Sequence, residues 1–316
     1  MTEPLFLKGV FKEKLWGGNK LKEHFNYSIP SDRTGELWAI SAHKNGASTV
    51  MNGEHKGKTL TELFASHKEL FGHTTEEVFP LLTKIIDAQS DLSVQVHPDD
   101  AYGMEHEGEL GKTECWYVID AEEGAEIVYG HQAESLEELK RAIDEGDWDN
   151  LLTRVKVKAG DFFYVPSGTI HAIGGGVMIL ETQQSSDTTY RVYDYDRVQD
   201  DGEKRELHIE DSLAVTTVPH VDPSLTYKQT QTDALERTEL VSNSFFSVEE
   251  WKVDGKASFT KEAPYTLVSI LDGNGTLDVN GQAYPCEKGD HFILPSPVAE
   301  WSLDGFFHII ASTPGN

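Results

Sequence analysis

Thiols and cations are scarce in this chain of 316 residues, and each shortage narrows what it can be. Only Cys115 and Cys286 are present, too few for a disulfide framework and in keeping with a reducing compartment. Lys and Arg total 27 against 54 Asp and Glu, and the net charge of -27 repels phosphate backbones and anionic membranes alike. Nucleic acid is therefore not an expected partner. A small anionic substrate would need a local cluster of cations set against the overall field. No run of about 18 apolar residues occurs, and the amino-terminal MTEPLFLKGVFKEKLWGG has no apolar core behind a basic start. These absences predict a cytoplasmic globular protein without a membrane partner, and they leave its oligomeric state open.

What is present reads as mainly β. Glycine, aromatic and β-branched residues dominate 90–131 and 151–196 in short runs broken by Gly, Pro, Asn and Asp, the pattern of many short strands. GELWAISAHKNGASTVMNGEHKG alternates around Asn-Gly pairs and predicts a hairpin that extends the same sheet. Helices are expected over 59–72 and 75–88, where Leu, Phe and Ile recur every three to four residues after a Thr cap, and over 135–153, with Leu136, Leu139, Ala142 and Ile143 on one stripe.

Two histidines on strand-like segments, His97 in SVQVHPDD and His171 in GDFFYVPSGTIHAIGGG, flank Glu114 in KTECWYVID. Two imidazoles and a carboxylate suit a metal ion. Gln95 lies two residues before His97 and so on the same strand face, as a candidate fourth ligand. Three or four N/O ligands without thiolate leave room for water or substrate, as catalytic zinc and non-haem iron sites do. Cys115 falls on the opposite face from Glu114 and reads as packing. Taken alone, Gln95 reads equally well as the cap of a backbone group, and Glu114 as a buried partner of Lys112.

An internal repeat organises the chain. GDFFYVPS at 160–167 recurs as GDHFILPS at 289–296, and Gly124–Val128 resembles Gly275–Val279. At these spacings Glu114 maps to Tyr265 and His171 to Glu300, so the second copy keeps the turn and loses the ligands. The expected organisation is two related barrels: a metal-bearing unit over 1–225, with helical segments near 59–88 and 135–153, and a degenerate metal-free unit over 226–316.

The order of a His-bearing strand, a Glu and then G-D-x-x-x-x-P-x-x-x-x-H resembles the cupin superfamily of small jelly-roll barrels. More narrowly, QVHPDD at 95–100, KTECWY at 112–117, PSGTIHAI at 166–173 and SSDTTYRVYDYDR at 185–197, with LWGG at 15–18 and GELWAIS at 35–41, resemble the type I mannose-6-phosphate isomerase family in its short bacterial form. The resemblance implies interconversion of mannose 6-phosphate and fructose 6-phosphate with one Zn2+ per chain, ligated by Gln95, His97, Glu114 and His171. It places the family's catalytic arginine on Arg191 and further active-site positions on Trp16, Lys84, Ser93, Lys112 and Glu181.

Aldose–ketose isomerisation moves a proton between C2 and C1 through an enediol, and a Lewis acid stabilises the charge that develops on the adjacent oxygens. Arg191 stays protonated in nearly any site and so fits an electrostatic clamp better than a base. Glu181 is a candidate proton shuttle, and a zinc-bound water is another. Lys84, Lys112, Arg191 and Arg197 supply cations for a phosphodianion, and Ser93 shares the face of Gln95. Without the family, Arg191 reads as a strand-surface residue, Trp16 as packing and Lys84 as a solvated helix position. The rival activities are an Fe(II) cupin oxygenase, since two His and a carboxylate also describe a facial triad, and a non-catalytic sugar-binding cupin.

Overall fold

In the computed structural model, which describes residues 3–315, strands carry most of the ordered backbone and fall into three sheets. A six-stranded sheet runs in the order Phe162–Val165, Glu114–Ala121, Val177–Gln184, Leu81–Ala88, Val10–Gly18 and Thr34–Ile40. A five-stranded sheet runs Tyr190–Tyr193, Val94–Val96, His171–Ile173, Glu126–His131 and Leu152–Lys156. The two share one apolar core, in which Trp116, Val118 and Ile179 of the first meet Ile127, Tyr129 and Ile173 of the second. Strand alternation sets this up: Glu114, Trp116 and Val118 turn to the interior, and Cys115 and Tyr117 turn to the opposite face. Both cysteines are buried and free, in line with the packing role expected of Cys115.

The remaining nine-stranded sheet wraps a second core containing Trp251, Phe259, Leu277, Trp301 and Phe307. It also recruits the amino-terminal strand Leu5–Lys8, whose Leu5 pairs with Ile293 and whose Leu7 pairs with Val50. Back to back, the two barrels bury a third cluster, with Ile85, Cys115 and Leu180 from one and Val248, Tyr265 and Ile310 from the other. Phe71 joins it edge-on to Tyr265 at 5.4 Å and 88°, and Phe79 stacks on the same ring at 5.6 Å and 29°. Aromatic pairs in this geometry each add about 1 kcal/mol beyond their buried area. Among the described residues no helix is long and apolar enough to cross a membrane.

The repeat is visible in the backbone. Gly160 and Gly289 sit at φ +89° and +91°, values that favour glycine. In each turn the next residue's carboxylate, Asp161 or Asp290, accepts from the amide three residues earlier, at 2.9 Å from Lys158 and 2.8 Å from Glu287. The pairing register corrects the equivalences drawn from sequence spacing by one residue. Glu114 lies opposite Val165, whereas Thr266, not Tyr265, lies opposite Leu294. Tyr265 belongs to the cluster between the barrels. Likewise Glu300 is exposed, and the inward residue nearest the position of His171 is Trp301. A spacing argument cannot see a one-residue slip, yet in a strand such a slip exchanges the two faces.

Two further expectations are corrected. Residues 81–88 form a strand with every residue buried, and 75–80 are loop, so the helix expected over 75–88 does not form and Lys84 stands on a strand. Leu81, Leu82, Ile85 and Ile86 satisfy a helical period, but a central strand covered on both faces also reads as a continuous apolar run. The Asn45-Gly46 turn forms, with Gly46 N donating to His43 O at 3.0 Å. Its flanks separate, however: Thr34–Ile40 joins the six-stranded sheet, and Thr49–Val50 pairs with Leu5–Lys8 in the nine-stranded one. The other two expected helical segments form, and Lys20–Phe25, Asp100–His106 and Ile209–Val215 are short helices that the sequence reading did not include. Leu60–Ser66 starts at a capping box of Thr59 and Glu62 and passes into the 3-10 turn Lys68–Phe71. Leu136–Glu145 and Trp148–Leu151 fill the second insertion, burying Leu139 and Ile143 while Leu136 stays exposed.

Candidate metal centre and active site

His97, Glu114 and His171 converge, each offering a ligand atom within 4.8 Å of the others. Glu114 opens the strand Glu114–Ala121, His171 opens His171–Ile173, and His97 directly follows Val94–Val96. His171 Nε2 stands 3.3 Å from Glu114 Oε1, and His97 Nε2 stands 3.5 Å from Glu114 Oε2. His171 Nδ1 donates to Thr169 O at 2.8 Å, which fixes the tautomer and leaves the Nε2 lone pair facing the cluster. The Gln95 amide reaches His171 Nε2 at 3.3 Å, and half a turn of that amide would present its oxygen at the same point.

The cluster fits a cation. All three side chains are at most 1% exposed, and neither oxygen of Glu114 has a hydrogen-bond partner. A buried carboxylate without partners is costly. Burial, and then the charge of Glu181, pushes the Glu114 pKa up, and burial pushes His171 down to about 3. His97 falls well below the ordinary range through burial and the nearby Lys112. Two neutral imidazole lone pairs and a carboxylate under electrostatic stress form a donor set that a divalent cation would relieve.

Charged groups surround these ligands. Lys112 Nζ lies 3.1 Å from His97 Nε2 and 3.4 Å from Glu114 Oε2. Glu181, opposite both Lys84 and Trp116 in the sheet, meets Lys84 Nζ at 3.4 Å and accepts from Trp116 Nε1 at 3.0 Å. Burial opposes the charge on Lys84, but Glu181 and Glu36 outweigh it and raise its pKa. Lys84 also sits 5.0 Å over the ring of Trp38, whose Nε1 donates to Glu36.

In the five-stranded sheet His171 is opposite Gln95, which is opposite Arg191, and directly paired residues share a face. Arg191 donates through Nη1 to Glu206 O at 2.7 Å, while its buried Nε has no partner. Ser93 is buried just before this row, and Trp16 packs in the barrel core with Trp116. Arg197 stands apart: it is bound to Asp194, which Arg205 shares, and to the Asp91 carbonyl. Glu36, Trp116 and Thr169 were missed from sequence. Trp116 was within reach, because it lies two residues beyond Glu114 and so shares its face, whereas Thr169 acts through a backbone carbonyl that carries no sequence signal.

Two β-barrels with a His–Glu–His cluster at the strand ends of one define a cupin protein with a metal-competent centre. Comparison with known proteins narrows this. Residues 5–121 match the family model "Phosphomannose isomerase type I, catalytic domain", and residues 236–314 match "Mannose-6-phosphate isomerase, cupin domain". The chain is 59% identical over 312 residues to the mannose-6-phosphate isomerase of Streptococcus mutans, covering 99% of this chain and 98% of that one. It is 54% identical over 312 residues to the mannose-6-phosphate isomerase ManA of Bacillus subtilis, covering 98% and 99%. The crystal structure of the mannose 6-phosphate isomerase from Bacillus subtilis superposes with a TM-score of 0.97 at 50% identity, over 98% of this chain and 99% of that one. The chain belongs to the type I phosphomannose isomerase family and is an aldose–ketose isomerase.

Proposed function

We propose that the protein interconverts mannose 6-phosphate and fructose 6-phosphate, with one Zn2+ per chain held by His97, Glu114, His171 and Gln95. The observation that carries this reading is the buried Glu114 carboxylate between two neutral imidazoles, without a hydrogen bond of its own and with Lys112 3.4 Å away. Bound there, Zn2+ would supply a redox-inert Lewis acid that tolerates a change in ligand number. Charge balance supports the substrate class. Lys84 and Lys112 are buried beside the cluster, and a divalent cation there would add to the positive charge that a phosphodianion requires.

Within this reading each side chain has a task. Glu181, held by Lys84 and Trp116, carries the proton between C2 and C1. Lys112 stands where it stabilises negative charge on the sugar oxygens beside His97. Arg191, with one guanidinium nitrogen unpartnered, clamps the enediolate or phosphate. Trp16 and Ser93 complete the substrate pocket, and Arg197, engaged by Asp194 and the Asp91 carbonyl, is left out of it. Residues 1–225 form the catalytic unit and 226–316 a metal-free barrel braced against it.

Chelator-stripped protein assayed anaerobically for conversion of mannose 6-phosphate, before and after Zn2+, tests the proposal. Turnover restored by Zn2+ supports it. Turnover that requires Fe(II) and consumes oxygen, or none with any divalent metal, overturns it.

A further inference from the structure

The second barrel has lost the metal ligands without closing the space they would occupy. By pairing register, Thr266 takes the place of Glu114, and Trp301 is the inward residue at the position of His171. Gln95 pairs with His171 in the first barrel, and Phe259 pairs with Trp301 in the second. Thr266, Trp301 and Phe259 all line one cavity of about 200 Å³. The counterpart of the metal centre is thus a pocket with an aromatic wall. Phe259 and Trp301 lie parallel within 5° at 5.6 Å, and Trp251 adjoins Phe259 at 4.7 Å.

Polar groups on this wall select the ligand. Arg237 is saturated: it binds Glu249 through Nε at 2.7 Å and Nη2 at 2.8 Å, and Glu262 through Nη1 at 3.0 Å. Glu249, which also accepts from Trp251 Nε1 at 2.7 Å, and Glu262 line the cavity with Glu239, itself bound by Lys228 at 2.7 Å, so no cation is left free on this wall for a phosphate. Trp301 is 7% exposed, and its indole N–H has no acceptor. An indole N–H only donates, and leaving it buried and unpaired is costly. A cation would find these carboxylates already engaged and offers nothing to that donor. A hydroxyl can accept from Trp301 Nε1 and donate to a remaining carboxylate lone pair, while the apolar face of a pyranose packs on the aromatic wall.

We infer that the carboxy-terminal barrel holds an accessory site for a neutral, unphosphorylated monosaccharide, built where the first barrel has its metal centre. The site depends on none of the catalytic residues, so it stands or falls separately from the proposed reaction. D-Mannose binding to the intact protein, followed by saturation-transfer NMR and titration, provides the test. In His171→Ala, which disables the metal centre, D-mannose should still bind, and mannose 6-phosphate should not displace it. Trp301→Phe keeps the ring and removes the donor, so affinity should fall about fivefold, the value of one hydrogen bond, while isomerase activity and far-UV dichroism stay unchanged. Thr266→Val should weaken binding in the same direction and carries the test if Trp301→Phe fails to fold. Three results overturn the inference: no D-mannose binding at millimolar concentration, binding abolished by His171→Ala yet indifferent to the Trp301 and Thr266 changes, or displacement by mannose 6-phosphate in His171→Ala.

Discussion

Lys84 and Glu181 form an ion pair in which each residue is only 3% exposed, and removing one charge alone should be far worse than removing both. At 3.4 Å the attraction amounts to about 5 kcal/mol at an effective dielectric constant of about 20. In Lys84→Met, Glu181 keeps only its bond from Trp116 Nε1, and its other oxygen is stranded near a second buried carboxylate, Glu114. Breaking a buried pair from one side costs about 3–5 kcal/mol. The urea midpoint of the metal-stripped protein should fall accordingly, at unchanged m-value. Lys84→Met/Glu181→Gln should recover most of that loss, because the amide oxygen still accepts from Trp116 and no charge is left without a counter-ion. Isomerase activity should stay abolished in the double variant, since stability and the proton shuttle are then separated. A single variant that loses under about 1 kcal/mol, or a double variant no more stable than the single, would refute the reasoning.

His171→Ala should lose metal and activity together, whereas Glu300→Ala, at an exposed position of the carboxy-terminal barrel, should leave both within error; metal content by mass spectrometry and initial rates decide. His291 is buried against Ser269 and Tyr27, and burial pushes its pKa down to about 4. The unfolded chain therefore binds more protons between about pH 6.5 and 4, and stability falls as pH drops through that window, by about 3 kcal/mol from this residue. His291→Gln should flatten that part of the urea-midpoint against pH curve, and an unchanged slope would remove His291 as its source. Gly160→Ala and Gly289→Ala separate strain from crowding. Both impose positive φ, costing about 1–2 kcal/mol, but only at Gly289 does the added methyl meet a neighbour, Tyr27 Oη at 3.0 Å. Equal losses in calorimetry would count against that distinction.

Much of the site was legible because its chemistry is written at period 2. His97 and Gln95 share a face by spacing alone, and the Gly-Asp turn before His171 recurs with the same φ and the same carboxylate-to-amide bond at Gly289 and Asp290. Legibility failed where two periods coincide or where register matters. Leu81–Ala88 is covered on both faces, so its sequence lacks the alternation that marks a half-exposed strand, and Lys84 was put on a helix surface rather than against Glu181. The one-residue slip between Tyr265 and Thr266 is invisible in sequence for a related reason: both are buried, one between the barrels and one inside the second.

That slip bears on how the two barrels divide their work. Read by spacing, the second copy has Tyr and Glu at the ligand positions and looks merely degenerate. Read by register, it has Thr266, Trp301 and Phe259 around an open cavity, a set with its own chemistry. The same strand ends that converge carboxylate and imidazole in one barrel converge hydroxyl and aromatic rings in the other. Convergence at the barrel end is therefore a property of the backbone, and the side chains decide what it recognises. In the first barrel the row Arg191, Gln95, His171 crosses three strands far apart in the chain, and only their pairing order aligns these residues. No spacing along the sequence encodes that row. For Arg191, strand register adds a place opposite Gln95 to the role that the family resemblance implies.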